Sequence, residues 1–207
     1  MKKNIVKKLG VMFLAGVMLL SAVGCGKSNS ASKDVSNVEA SDGETFNSDD
    51  LSAGQVKLLG KVYDLPIDYS KISKRLTLRE EMTEKFNVKV PANSVLDNVY
   101  LDAFNKPGSY VVVSLKNNRD VEDLPKACTV TKINAQMGYA DADVILLPSD
   151  VTIGTSAYDI TGLYGEPDTT IDKKDGFTYI YEMDSVTYTF EFQKNVEGVA
   201  SITIECK

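Results

Sequence analysis

The sequence predicts an α+β fold, with short helices packed on one face of an antiparallel sheet and, in one reading, two related halves. Three observations lead there. The C-terminal third alternates apolar and polar residues with period two, which puts one set on each face of a strand. A capped helical segment stands directly before that run. Both halves also read in the same order, as strand, short helix and then several strands, although no residue-level repeat accompanies it.

Residues 1–24 read as a secretory signal. Lys2, Lys3, Lys7 and Lys8 form a basic head that favours the cytoplasmic side. The apolar run from Leu9 to Val23 is shorter than the roughly 20 residues a spanning helix needs, and Gly10 and Gly16 interrupt it. Ala22 and Gly24 are small enough to admit a peptidase, and Cys25 supplies a thiol that can be diacylglycerylated. Ala22-Val23-Gly24-Cys25 resembles the lipobox of bacterial lipoproteins, with Ala22 at the position where that family usually carries Leu. The resemblance implies cleavage before Cys25 and lipidation of Cys25. It also implies anchorage on the extracytoplasmic face of the cell membrane. One acyl chain binds a bilayer only marginally, so the diacyl group would make the anchor stable. The other reading is an ordinary secretory signal or an uncleaved anchor.

Residues 25–53 then read as the lipidated N-terminus and a disordered tether. They are rich in Ser, Asn, Asp and Glu, and their large apolar residues are few, chiefly Phe46 and Leu51. Such a segment cannot bury enough surface to offset its ordering entropy.

Residues 54–148 form the first predicted half. Val56 to Leu59 and Val62 to Tyr63 read as short strands around Gly60. Pro66 opens a short helix through Ile67, Tyr69 and Ile72. Thr77 and Glu80 have capping-box spacing for a helix to Phe86, though Leu76-Thr77-Leu78 fits a strand equally. Tyr110–Leu115, Cys128–Ile133 and Val144–Leu147 read as strands.

Residues 149–207 form the second half. Ser156 is a good N-cap, and Asp159 stands three residues on. Ile160, Leu163 and Tyr164 fall at helical spacing, Gly165 suits a left-handed stop and Pro167 prevents continuation. Phe177, Tyr179 and Tyr181 alternate with polar residues, as do Val186, Tyr188, Phe190 and Phe192, and then Ile202, Ile204 and Cys206. That is a three-stranded antiparallel meander with a buried face and a wet face rich in Thr and Glu. Asp172 to Gly176 reads as a hairpin turn, since it lacks the alternating oxygen ligands and closing Glu of a calcium loop.

The Gly154-Thr155-Ser156 start, the short helix, the Gly165-Glu166-Pro167-Asp168 stop and the aromatic meander resemble a known module. It is that of the small lipoprotein of outer-membrane barrel assembly and of the β-lactamase-inhibitor protein repeat. The resemblance covers about residues 150–207. It implies a helix-on-sheet fold and a habit of binding proteins, and it carries over no catalytic residue.

Composition narrows the function. The chain has no His and no Trp. Without His there is no Ser-His-Asp or Cys-His catalysis and no His-ligated zinc. The leader holds four lysines and no acid, so its removal takes the formal net charge from −6 to −10. That surface repels nucleic acid and anionic headgroups. Cys128 and Cys206 remain beside Cys25. Outside the cytoplasm such a pair can form a disulfide; the reading preferred here is that both are small buried hydrophobes.

The acidic groups Asp141 with Asp143, Glu80 with Glu81, and Asp120, Glu122 and Asp123 lie in polar runs and read as solvated loops rather than a catalytic pair. Tyr179, Tyr181, Tyr188, Phe190 and Phe192 could present a platform to sugar or peptide, but their strand spacing reads as core. No metal site or cofactor motif is expected, and no binding residue is assigned. The expectation is a lipid-anchored, non-catalytic binding module of the cell envelope, with an envelope protein or peptide as partner. The alternatives are an envelope-maintenance lipoprotein and, behind it, a carboxylate-dependent wall hydrolase.

Overall fold

The structure is a computed structural model that describes residues 45–207. The leader, Cys25 and the first part of the tether lie outside the described residues. The fold begins earlier than residue 54. Asp50 caps a single helical turn, Leu51–Ala53, and Leu51 is buried. The Asn47 amide donates to Gln55 Oε1 at 2.8 Å, and Ser149 Oγ donates to the Asp49 carbonyl at 3.0 Å. Residues 46–53 therefore belong to the domain, because Leu51 and Phe46 find apolar and cationic surface to cover.

Antiparallel sheet dominates, with a few short helices. The strands are β1 (Gln55–Leu58), β2 (Lys61–Asp64), β3 (Ile67–Asp68), β4 (Leu76–Leu78), β5 (Val95–Ala103) and β6 (Tyr110–Lys116). They continue with β7 (Thr129–Gln136), β8 (Ile145–Leu146), β9 (Thr169–Lys173), β10 (Gly176–Glu182), β11 (Val186–Gln193) and β12 (Val199–Cys206). The helices are α1 (Tyr69–Ile72), α2 (Thr83–Phe86) and α3 (Ala157–Tyr164), with single 3-10 turns between. A small sheet runs β2-β1-β8. The large one runs β4-β5-β6-β7-β12-β11-β10-β9, with β3 also on β7. The β7–β12 pair joins strands from both sequence halves into one sheet.

Register explains the core. Val99 faces Val113, Val113 faces Ile133, Ile133 faces Ile204, Ile204 faces Tyr188 and Tyr188 faces Tyr181. Every member of that row is buried, so one apolar face crosses the sheet without a break. Val56 and Leu58 of β1 and Ile145 of β8 belong to the same hydrophobic cluster.

The helix start signal works as read, and the stop falls at Gly165, with positive φ but a ψ of −170° in place of a left-handed helical cap. Ser156 Oγ accepts from the Asp159 amide at 3.1 Å, and Gly165 follows the last turn at φ 83°. Ile160 is buried, and the Tyr164 ring lies 6.0 Å from Tyr181 and 6.4 Å from Phe190. Gly198 closes the turn before β12 against the turn at Gly154. Its φ is +72°, and a Cβ there would stand 2.0 Å from the Gly154 carbonyl oxygen.

Three expectations change. The meander has four strands, because β9 pairs with β10 around the Lys174-Asp175 turn. The helix expected from Pro66 starts only at Tyr69, because Ile67 and Asp68 pair with Val130 and Thr129 of β7. Thr77–Phe86 divides between strand β4 and α2, so both readings of that stretch hold in part.

Candidate functional site

The face opposite the core is set by the same register. Tyr100 on β5 faces Val112 on β6, Val112 faces Asn134 on β7, and Asn134 faces Thr203 on β12. Beside that row, Asp102 faces Tyr110 and Gln136 faces Ser201. Gly138, at φ 87°, turns the chain after β7 so that the Tyr139 carbonyl accepts from the Tyr110 amide at 2.7 Å. Three tyrosines from three segments thus form a ladder. Ring centroids are 5.6 Å apart for Tyr100–Tyr110 and 5.1 Å for Tyr110–Tyr139.

Arg79, just after β4, lies across the ladder. Its guanidinium carbon is 3.9 Å from the Tyr110 centroid. Nε and Nη2 donate to Asp102 Oδ1 at 2.8 and 2.7 Å, and Glu81 stands 3.5 Å away. The Asp102 hydrogen bond holds the guanidinium firmly charged. Burial raises the Tyr110 phenol pKa and Tyr139 adds to it, while Arg79 opposes. The phenol therefore stays protonated at neutral pH and can donate.

The floor is polar and ordered. Asn134 Nδ2 donates to Thr203 Oγ1 at 2.8 Å and to Ser201 Oγ at 3.0 Å. Ser114 Oγ donates to Asp97 Oδ1 at 2.6 Å, and Lys132 Nζ lies 3.1 Å from Glu205 Oε2. Two adjoining recesses result. One of about 570 Å³ is lined by Asp97, Asn98, Ser114, Lys132 and Thr203. The other, about 210 Å³, is lined by Tyr110, Gln136 and Tyr139. Tyr100, Val112 and Asn134 belong to both, so the two form one groove. A further depression of about 490 Å³ lies at the tips of the β9–β10 and β11–β12 turns. Lys173 there is tied to Glu191 at 2.6 Å, and the lining comes from the ends of β9, β10 and β11 and the turns beside them.

The residues singled out in the sequence fall elsewhere. Tyr181, Tyr188, Phe190 and Phe192 are core, and Tyr179 is half-buried beside Phe192. Asp141, Asp143, Glu80, Glu81, Asp120 and Glu122 are exposed, while Asp123 is half-buried and paired with Arg119. Cys128 is buried and Cys206 half-buried, and both are free thiols. Continuing the β7–β12 register puts Cys206 opposite Thr131, three residues from Cys128. That is about 10 Å along the strand, beyond the reach of a disulfide.

Among the described residues, no three His, Cys, Asp or Glu side chains are grouped to hold a metal, and no helix is long and apolar enough to cross a membrane. Sequence reasoning missed the tyrosine groove. The usable signal was the alternation of Tyr100 and Tyr110 with buried valines and leucines, which turns both rings away from the core. No family model, no curated protein and no solved structure matches this chain.

Proposed function

We propose that this protein is a lipid-anchored, extracytoplasmic binding module, non-catalytic, whose domain holds a ligand of the cell envelope in the groove over β5, β6 and β7. The observation that carries the reading is the groove itself. It combines a tyrosine ladder with ordered amide and hydroxyl groups, on a sheet face that carries two open recesses. Aromatic faces set among fixed hydrogen-bonding groups give a ligand both a contact surface and an orientation. The Cys25 lipobox and the polar segment after it support the location. The likeness of residues 150–207 to the helix-on-sheet modules of envelope and inhibitor proteins is part of the same proposal, as are short helices sharing the apolar side of the sheet. Tyr69 of α1 against Phe86 of α2, at 5.1 Å, and Tyr164 of α3 against Tyr181 favour that arrangement.

Two substitutions test the reading. Cys25→Ala releases the protein into the medium or leaves the precursor unprocessed; an unchanged mass and unchanged membrane fractionation would refute the anchor. Val112→Glu puts a charge on the groove floor. It should abolish recovery of whatever solubilised envelope material the wild-type protein retains, and equal recovery would refute the groove.

A further inference from the structure

Resting on the reading of the open face as a binding surface, we infer that the groove takes an uncharged sugar chain, stacked on Tyr139 and Tyr100 and hydrogen-bonded by Asn134 and Gln136. Charge is the first argument. The cations of the groove are already neutralised, Arg79 by Asp102 and Glu81 and Lys132 by Glu205. Neither is left to hold a phosphate or a carboxylate. Asp97, on a domain of acidic balance, would repel one.

Main-chain pairing is the second argument. Over β6 and β7 the groove lies on strands paired on both sides, so a peptide cannot add there as an extra strand. Recognition is left to side chains, and apart from Asp97 those still free to bond are neutral. No protein partner bonds the Tyr100 or Tyr139 hydroxyl or the Gln136 amide among the described residues. Asn134 is fixed through its Nδ2, which turns its carbonyl oxygen to the ligand as an acceptor.

Shape is the third argument. The two recesses join end to end, and Tyr139 is 49% exposed at the outer end. A pyranose ring offers a flat C–H face to such a ring and hydroxyls at its rim, and successive rings suit an elongated site.

The test is calorimetry on the full-length protein, lipid anchor included, in a detergent without sugar headgroups. The probes are the β-1,4-linked hexamers of N-acetylglucosamine and of glucose. Polygalacturonate and hexalysine serve as charged controls. At least one neutral hexamer should bind saturably. Tyr139→Ala and Gln136→Ala, both at exposed positions, should each weaken it about tenfold with no change in melting midpoint. The charged controls should not compete. Absence of binding by both hexamers, or binding indifferent to both substitutions, overturns the sugar assignment. If hexalysine or an envelope peptide binds instead and the same substitutions remove it, the groove stands as a binding surface and only its ligand class falls. If no probe and no envelope material responds to either substitution, the groove reading falls too.

Discussion

The guanidinium of Arg79 sits over the Tyr110 ring, its central carbon 3.9 Å from the ring centroid. Asp102 fixes it there from the side. An exposed cation–π pair and a partly exposed ion pair are each modest, so Arg79→Ala should cost only about 1 kcal/mol in urea unfolding. Its larger effect should fall on the groove, where Tyr110 loses its clamp. Arg79→Lys should restore the charge without the planar stack, and recover stability more fully than ligand retention. Equal recovery of both would refute the stacking role.

Tyr188 buries its ring completely, yet its hydroxyl has no partner among the described residues. A buried donor without an acceptor is a standing cost, and its removal should stabilise the fold. Tyr188→Phe should raise stability by about 1 kcal/mol, seen as a higher denaturant midpoint at unchanged slope. A fall would show that the hydroxyl has a partner after all.

Gly198 should tolerate no side chain. Its left-handed backbone and the Gly154 carbonyl, 2.0 Å from where a Cβ would stand, leave both conformation and space unavailable. Gly198→Ala should cost more than about 2 kcal/mol. Gly138 has a similar φ but open space around it, so Gly138→Ala should pay only the conformational term of about 1 kcal/mol.

Alkali should unfold the domain through its buried phenols. Burial pushes Tyr181 up to about 12 and drives Tyr164 and Tyr188 upward as well, against an ordinary value of 10.0. The folded state therefore holds these protons more tightly than the unfolded chain. Their contribution is complete below pH 10 and is lost as pH rises through 12. Stability should be insensitive to these groups near neutrality and fall steeply from pH 10 to 12. The 295 nm phenolate absorbance of the three should appear together with loss of the near-ultraviolet circular dichroism signal.

The meander was legible because each strand there has one dry and one wet face, and alternation reports that directly. Strand β5 hid because Asp97-Asn98 breaks its alternation. The structure places a bulge there, with Asn98 at φ 55°. Strand β9 hid for the opposite reason: all five residues are exposed at the sheet edge, so no apolar set marks it. The groove was legible only in part: alternation turns Tyr100 and Tyr110 off the core, but Tyr139 joins them through the turn after β7 and its backbone bond to Tyr110, which no local pattern marks.

Strand β7 has a consequence for how the chain is made. Its seam edge receives Ile67 and Asp68 at one end and residues 201–205 along the rest. A nascent or translocating chain cannot close that seam until residues 201–205 have arrived. Until then β7 offers a bare edge, so the domain should finish folding only once β12 has emerged. Truncation by even eight residues would leave a sheet open along its middle, a form more prone to clump than to bind.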